Sequence, residues 1–158
     1  MSTDYVRRII EEIRAALGGI IAKQHGGNYA EARAGLNTKC LETVGLDLNH
    51  VLRLSPEALG DLLATSGGLR YSRALTLAEL LLLDASITEA RGTTSGDLLN
   101  YLHAFCLIAD SIPALVEKDE EIYRSRLDFV ASRLQAFRGN KYVDDKLRDY
   151  ERSPPRRR

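Results

Sequence analysis

His103 and Cys106 stand three residues apart in a helical pattern, and a cysteine beside a histidine can become a nucleophile if the ring takes the thiol proton. On a single helix this needs a cleft around both groups and a third group to orient the ring. Without those, the pair reads as core or boundary packing. His25 and His50 share no metal-ligand spacing with a cysteine or carboxylate, and their places at a helix end and in a connector predict solvated or capping roles. Cys40, like Cys106, sits in an apolar helical pattern, which predicts a reduced thiol acting as a small hydrophobe. Two cysteines do not make a disulfide framework.

The acidic run "EKDEE" at 117–121 lacks the glycine and spaced oxygen ligands of a calcium loop, and it suits the solvated first turns of a helix, where acids favour the dipole. The glycine pairs at 18–19, 26–27 and 67–68 neither follow a strand nor precede Lys-Ser/Thr, so they form no phosphate loop. The end "RSPPRRR" could touch nucleic acid or an acidic lipid surface, but with no aromatic it reads as a solubilising, disordered tail over 152–158. Seven tyrosines are spread along the chain, and most are expected at the core edge with wet hydroxyls. No catalytic, cofactor-binding or metal-binding residue stands out, and the expectation is a non-enzymatic protein that needs no cofactor.

The elements that must carry these residues are helices. Tyr5, Val6, Ile9, Ile10, Ile13, Ala16, Leu17, Ile20 and Ile21 form one broad apolar face over 4–25. In "QHGGNYAEARAGL", 24–36, Gly26-Gly27 ends that helix, Asn28 caps the next, and Glu31 takes the capping-box position. The second helix runs to Val44, with Ala32, Leu36, Cys40, Leu41 and Val44 inward, and Gly45 stops it. Residues 46–54 form a connector with about one helical turn. Ser55-Pro56-Glu57 starts a third helix that ends at Ser66-Gly67-Gly68.

A long helix over 69–91 carries "LTLAELLLLDASI", and its wide apolar face makes it central. "GTTSGD" at 92–97 is a turn with Thr94 as cap. A fifth helix with Leu98, Leu99, Leu102, Phe105, Cys106 and Ile108 ends before Pro113. A sixth spans 114–138 with Leu115, Ile122, Leu127, Val130, Leu134 and Phe137 apolar, and a short last helix covers 141–151. No segment alternates with period two, so no sheet is expected.

The bulk numbers agree with a single soluble domain over 1–151: 158 residues, 44% hydrophobic and 28% charged. Lys and Arg number 22, and without Arg152, Arg156, Arg157 and Arg158 the body has 18 against 22 acidic residues, a net of −4. That argues against a broad basic nucleic-acid face. "MSTDYVRRIIEEI" lacks the apolar run of a signal peptide, and Glu79, Asp84 and Asp110 interrupt the apolar stretches, so a cytoplasmic protein without a membrane span is expected.

A Gly-Asn/Asp turn between helices occurs at 27–29 and 96–98, 69 residues apart, about twice a 34-residue helical-hairpin unit; "GNKY" at 139–142 is a looser third instance. Gly27, Asn28, Tyr29 and Ala32 in one unit, and Gly96, Asp97, Phe105 and Pro113 in the other, resemble the tetratricopeptide repeat. The large aromatic and Gly-Tyr pair of that family's first helix are missing, Leu36 and Tyr101 depart from its pattern, and 46–68 do not fit it. Asp4-Tyr5-Val6, Arg8 to Glu11, Gly27 to Ala32 and Gly45-Leu46-Asp47 make the chain as a whole similar to a group of small bacterial helical proteins of unknown function.

The resemblance implies an all-α fold of six to seven helices, antiparallel hairpins in a short right-handed array. It also implies a protein–protein interaction or scaffold role. Partner-contacting positions carried over from the repeat are Arg14, Leu17, Ile21 and Gln24 in the first unit and Ser86, Ala90 and Thr93 in the second. The occupant would be a protein or peptide, or a second copy in a homodimer that closes the apolar faces of 4–21 or 69–91.

Overall fold

A computed structural model describes residues 4, 6–8, 10–12, 15, 29–90 and 98–152, and these form helices joined by short turns. No strand occurs among the described residues, so the fold is all-α. The described residues between 4 and 15 are helical, with Val6 and Ile10 buried and Arg8, Glu11 and Glu12 exposed, as their spacing predicts. Then follow α1 (Tyr29–Thr43), α2 (Leu48–Arg53), α3 (Pro56–Ala64), α4 (Arg70–Ala90), α5 (Leu98–Ser111), α6 (Glu117–Leu134) and α7 (Lys141–Arg152). Short 3₁₀ turns lie at Gly67–Leu69, Ile112–Ala114 and Gln135–Phe137. Arg152 therefore belongs to a helix rather than to the expected tail. The turn at 92–97 and residues 153–158 lie outside the described residues.

Local chemistry sets these limits. Gly45 ends α1 at φ 82°, a left-handed conformation open to glycine at little cost. Asp47 caps α2 by accepting from the Asn49 and His50 amides, and Ser55 Oγ accepts from the Ala58 amide at 3.1 Å to cap α3. Asn140 Oδ1 does the same for α7, from the Tyr142 amide at 3.0 Å. Helix α6 is shorter than its apolar pattern suggests. Leu115 and Val116 are extended after the Pro113 turn, and past Leu134 the backbone tightens into 3₁₀ before Gly139, at φ 106°, turns the chain.

Helix α4 is the centre of the packing. From Ser72 to Ile87 nearly every side chain is buried, and Ser86 is the exposed one. It packs most extensively on α5, which runs antiparallel to it: Asn100 meets Leu81 and Asp84, while Tyr71 and Ala74 share a cleft with Asp110 and Ser111. Helix α1 lies on another side of α4, and α6 covers α5.

The buried stripe of α1 is Ala32, Leu36 and Cys40, continued by Val44 just past the helix end, one residue every four. Leu41 is displaced from that stripe by the ~100° rotation of one residue and stands 48% exposed, contrary to the inward place expected for it. Leu99 is likewise exposed, since its neighbour Asn100 takes the face toward α4. No helix among the described residues is long and apolar enough to cross a membrane.

Candidate functional site

Two acids are buried on α4. Glu79 is 6% and Asp84 3% exposed. Five residues of helix separate them by about 140° of rotation, so they face different neighbours. Asp84 pairs with the Arg33 guanidinium of α1 and accepts from Asn100 Nδ2 of α5 at 2.9 Å. The same amide group donates to the Leu81 carbonyl at 2.9 Å, and Arg33 Nη2 also donates to Asn49 Oδ1 of α2 at 3.0 Å. One arginine thus joins three helices. Glu79 holds Arg126 of α6 by two parallel bonds, a planar match that only arginine makes with a carboxylate.

A third pair ties the N-terminal helical residues to α6: Arg7 Nη2 lies 3.2 Å from Asp119 Oδ1 and 2.9 Å from Asp4 Oδ1. Asp119 belongs to the acidic run expected to be solvated, yet it is buried at 2% exposure because Arg7 reaches it from another helix. Tyr123 sits among these groups. Burial, then the Glu79 charge, push its hydroxyl pKa up, while Arg126 and Arg7 pull it down. Near the end of α4, Glu89 accepts from the Tyr101 hydroxyl, with Arg133 of α6 at 3.9 Å. Tyr101 and Tyr123 are therefore core residues rather than core-edge ones.

Helix α3 packs on α4 and α5, α2 packs on α1, and the buried side chains of the two are Leu48, Val51, Leu59 and Leu63. His103 of α5 is fully buried, and neither ring nitrogen reaches a hydrogen bond. Burial holds its pKa below the ordinary histidine range, with the Leu54 carbonyl and the Glu57 charge opposing. Cys106, one turn on, is half-buried, and burial pushes its thiol up to about 11. A cysteine–histidine dyad needs the opposite shifts, a lowered thiol and a ring ready to hold a proton. Cys40 is buried in α1 with its thiol pushed up to about 12, again by burial first.

Of the positions expected to contact a partner, Ser86 is exposed on α4 and Ala90 is the last residue of that helix. Arg14, Leu17, Ile21, Gln24 and Thr93 lie outside the described residues, as does His25. His50 is exposed in α2, as its connector place predicts. Among the described residues no group of acids, histidines and cysteines could hold a metal ion. A small open cleft between α3, α4 and α5, lined by Tyr71, Leu107 and Asp110, has room for little more than a water-sized molecule.

No protein-family model matches the chain, no curated protein matches its sequence, and no solved structure matches its fold.

Proposed function

We propose that the protein is a non-enzymatic protein–protein interaction or scaffold module, built from tetratricopeptide-like helical hairpins. Its partner-contacting face includes Ser86 and Ala90 of α4, with Arg14, Leu17, Ile21, Gln24 and Thr93 completing it. The observation that carries this reading is Ser86. It is the exposed position in a stretch of α4 otherwise turned inward, and it is a position the repeat resemblance assigns to partner contact. Two further features support it. Helices α4 and α5 form an antiparallel hairpin, and the buried acids serve to tie helix to helix.

The test is cross-linking of the whole chain to its bound protein, compared between wild type and Ser86→Arg. A partner captured by wild type and lost by the variant supports the reading. A partner held equally by both removes Ser86 from the face and overturns it. Self-association is the second reading, favoured by the exposed apolar side chains Leu41, Leu69, Val116 and Phe129. Light scattering over a dilution series separates the two: a dimer that persists favours self-association, and a monomer throughout rules it out.

A further inference from the structure

We propose that residues 47–69, the α2–α3 segment, are an acid-released cover, held closed over α5 only while the enclosed and hydrogen-bond-free imidazole of His103 stays neutral. The placement is the first argument. His103 has no exposed surface, and both ring nitrogens lack a hydrogen-bond partner. A proton added there in the closed form would be a buried cation without a full set of acceptors, which is costly. In the open form the ring meets water, takes its proton in the ordinary range near ~6.5, and carries no such penalty.

The way the segment is fastened is the second argument. Among the described residues, its side-chain ties to the rest of the chain lie at or near the surface or are part-buried. The Leu48 amide donates to Asn37 Oδ1 at 2.7 Å, and Ser72 Oγ donates to the Leu69 carbonyl at 3.1 Å. Asn37 Nδ2 donates to Asp47 Oδ2 at 3.1 Å, Arg33 to Asn49, and Arg73 Nη1 to Ser66 Oγ at 3.1 Å, while the Tyr142 hydroxyl donates to Glu57. Such partly solvated bonds contribute little each. Most of the hold must come from the buried side chains Leu48, Val51, Leu59 and Leu63, which join the same core that encloses His103.

The groups around the ring set how sharp the release is. From α3, Glu57 is the charge that favours His103 protonation, and the Tyr142 hydroxyl of α7 keeps that carboxylate ionised. Lys146 of α7 also favours the charged form of that carboxylate. The α2 side offers the Leu54 carbonyl. Along α5, Cys106 and Asp110 lie beyond, and burial keeps the thiol neutral. One exposed carboxylate and one carbonyl do not replace the hydration of an imidazolium.

Hydrogen exchange read by mass spectrometry on the full chain tests this, as protection corrected for intrinsic rates at pH 7.5 and 5.5. With the open form titrating near ~6.5, opening of 47–69 rises by up to about tenfold at pH 5.5, while α4 and α6 keep their protection. His103→Leu abolishes the difference between the two pH values. Unchanged protection of 47–69 in wild type, or the same loss in the folded Leu variant, overturns the proposal.

Should the variant not fold, a wild-type NMR titration decides. The expected result is a His103 ring that resists protonation below ~6.5 and titrates together with amide shifts at Leu54 and Glu57. A ring that titrates near ~6.5 with those amides unmoved overturns it.

Discussion

Arg126 of α6 grips Glu79 of the central helix α4 with both ends of its guanidinium, Nε to Oε1 at 2.9 Å and Nη2 to Oε2 at 2.7 Å. The two residues are 47 apart in the chain, and the carboxylate is almost wholly buried. Removing the arginine takes away the guanidinium that faces that charge. Arg126→Met is therefore expected to destabilise the fold by about 2 kcal/mol, below the 3–5 of a fully buried pair because the arginine itself is partly solvated. Urea unfolding checks this. The double variant with Glu79→Gln should recover part of the loss, and an unchanged midpoint in Arg126→Met would show that the pair contributes nothing.

Helix α1 separates two leucines that one apolar pattern treats alike. Leu36 is fully buried, and Leu36→Ala should cost about 3 kcal/mol for the lost burial and the cavity left behind. Leu41→Ala, at the half-exposed position, should stay within ~0.5 kcal/mol. Thermal melts of the two variants suffice, and equal losses would place Leu41 in the core after all.

Two glycines should respond in opposite directions to alanine. Gly60 lies inside α3 with open space where a Cβ would stand, so Gly60→Ala should stabilise by about 0.5–1 kcal/mol through helix propensity and a stiffer unfolded chain. Gly45 also has open space, but its φ of 82° is unfavourable for any side chain, and Gly45→Ala should destabilise by about 1 kcal/mol. Chemical denaturation of both variants is the check.

The buried thiols are expected to weaken the fold at alkaline pH. Cys106 and Cys40, at about 11 and 12, keep their protons far above the pH at which an unfolded thiol, near ~8.5, loses its own. Tyr150, pushed up to about 12 by burial and its bond to Asp128, behaves alike. Above the unfolded value the native state binds more protons than the unfolded one, so stability falls as pH rises. The contribution is whole below pH ~8.5 and is lost progressively up to about 12. At pH 8 native Cys106 should alkylate at least roughly a hundredfold more slowly than in urea, its thiolate fraction being that much smaller. Equal rates would mean that the thiol is not shielded.

Periodicity reads one helix at a time, and this governs what the sequence reveals. The helix order, the Gly45 stop, the Ser55-Pro56 start and the central place of 69–91 rest on neighbours within a few residues, so they are legible. The inward face of α1 is legible at Leu36 and Cys40 and misread at Leu41, where apolar character alone does not fix a direction. Glu79, Asp84 and Asp119 read as surface acids or breaks in apolar runs because their partners, Arg126, Arg33 and Arg7, come from other helices. His103 is legible as a core or boundary histidine, but the absence of a hydrogen bond at both nitrogens depends on the elements that enclose it in the fold. For the partner-contacting positions, Ser86 alone combines the expected place with an exposed side chain in the described residues.

The enclosure of α4 has a consequence for synthesis on the ribosome. Its neighbours come from both sides of the chain, α1 earlier and α5 and α6 later. When Leu75, Leu77, Leu80 and Leu81 leave the exit tunnel, the cover that α5 and α6 supply has not yet emerged. That apolar face stays open until α5 and then α6 emerge, a wait of seconds at about 5–20 residues per second. A ribosome that stalls with α4 outside the tunnel and α5 still inside it would therefore present an unsheltered helix, a natural substrate for nascent-chain chaperones.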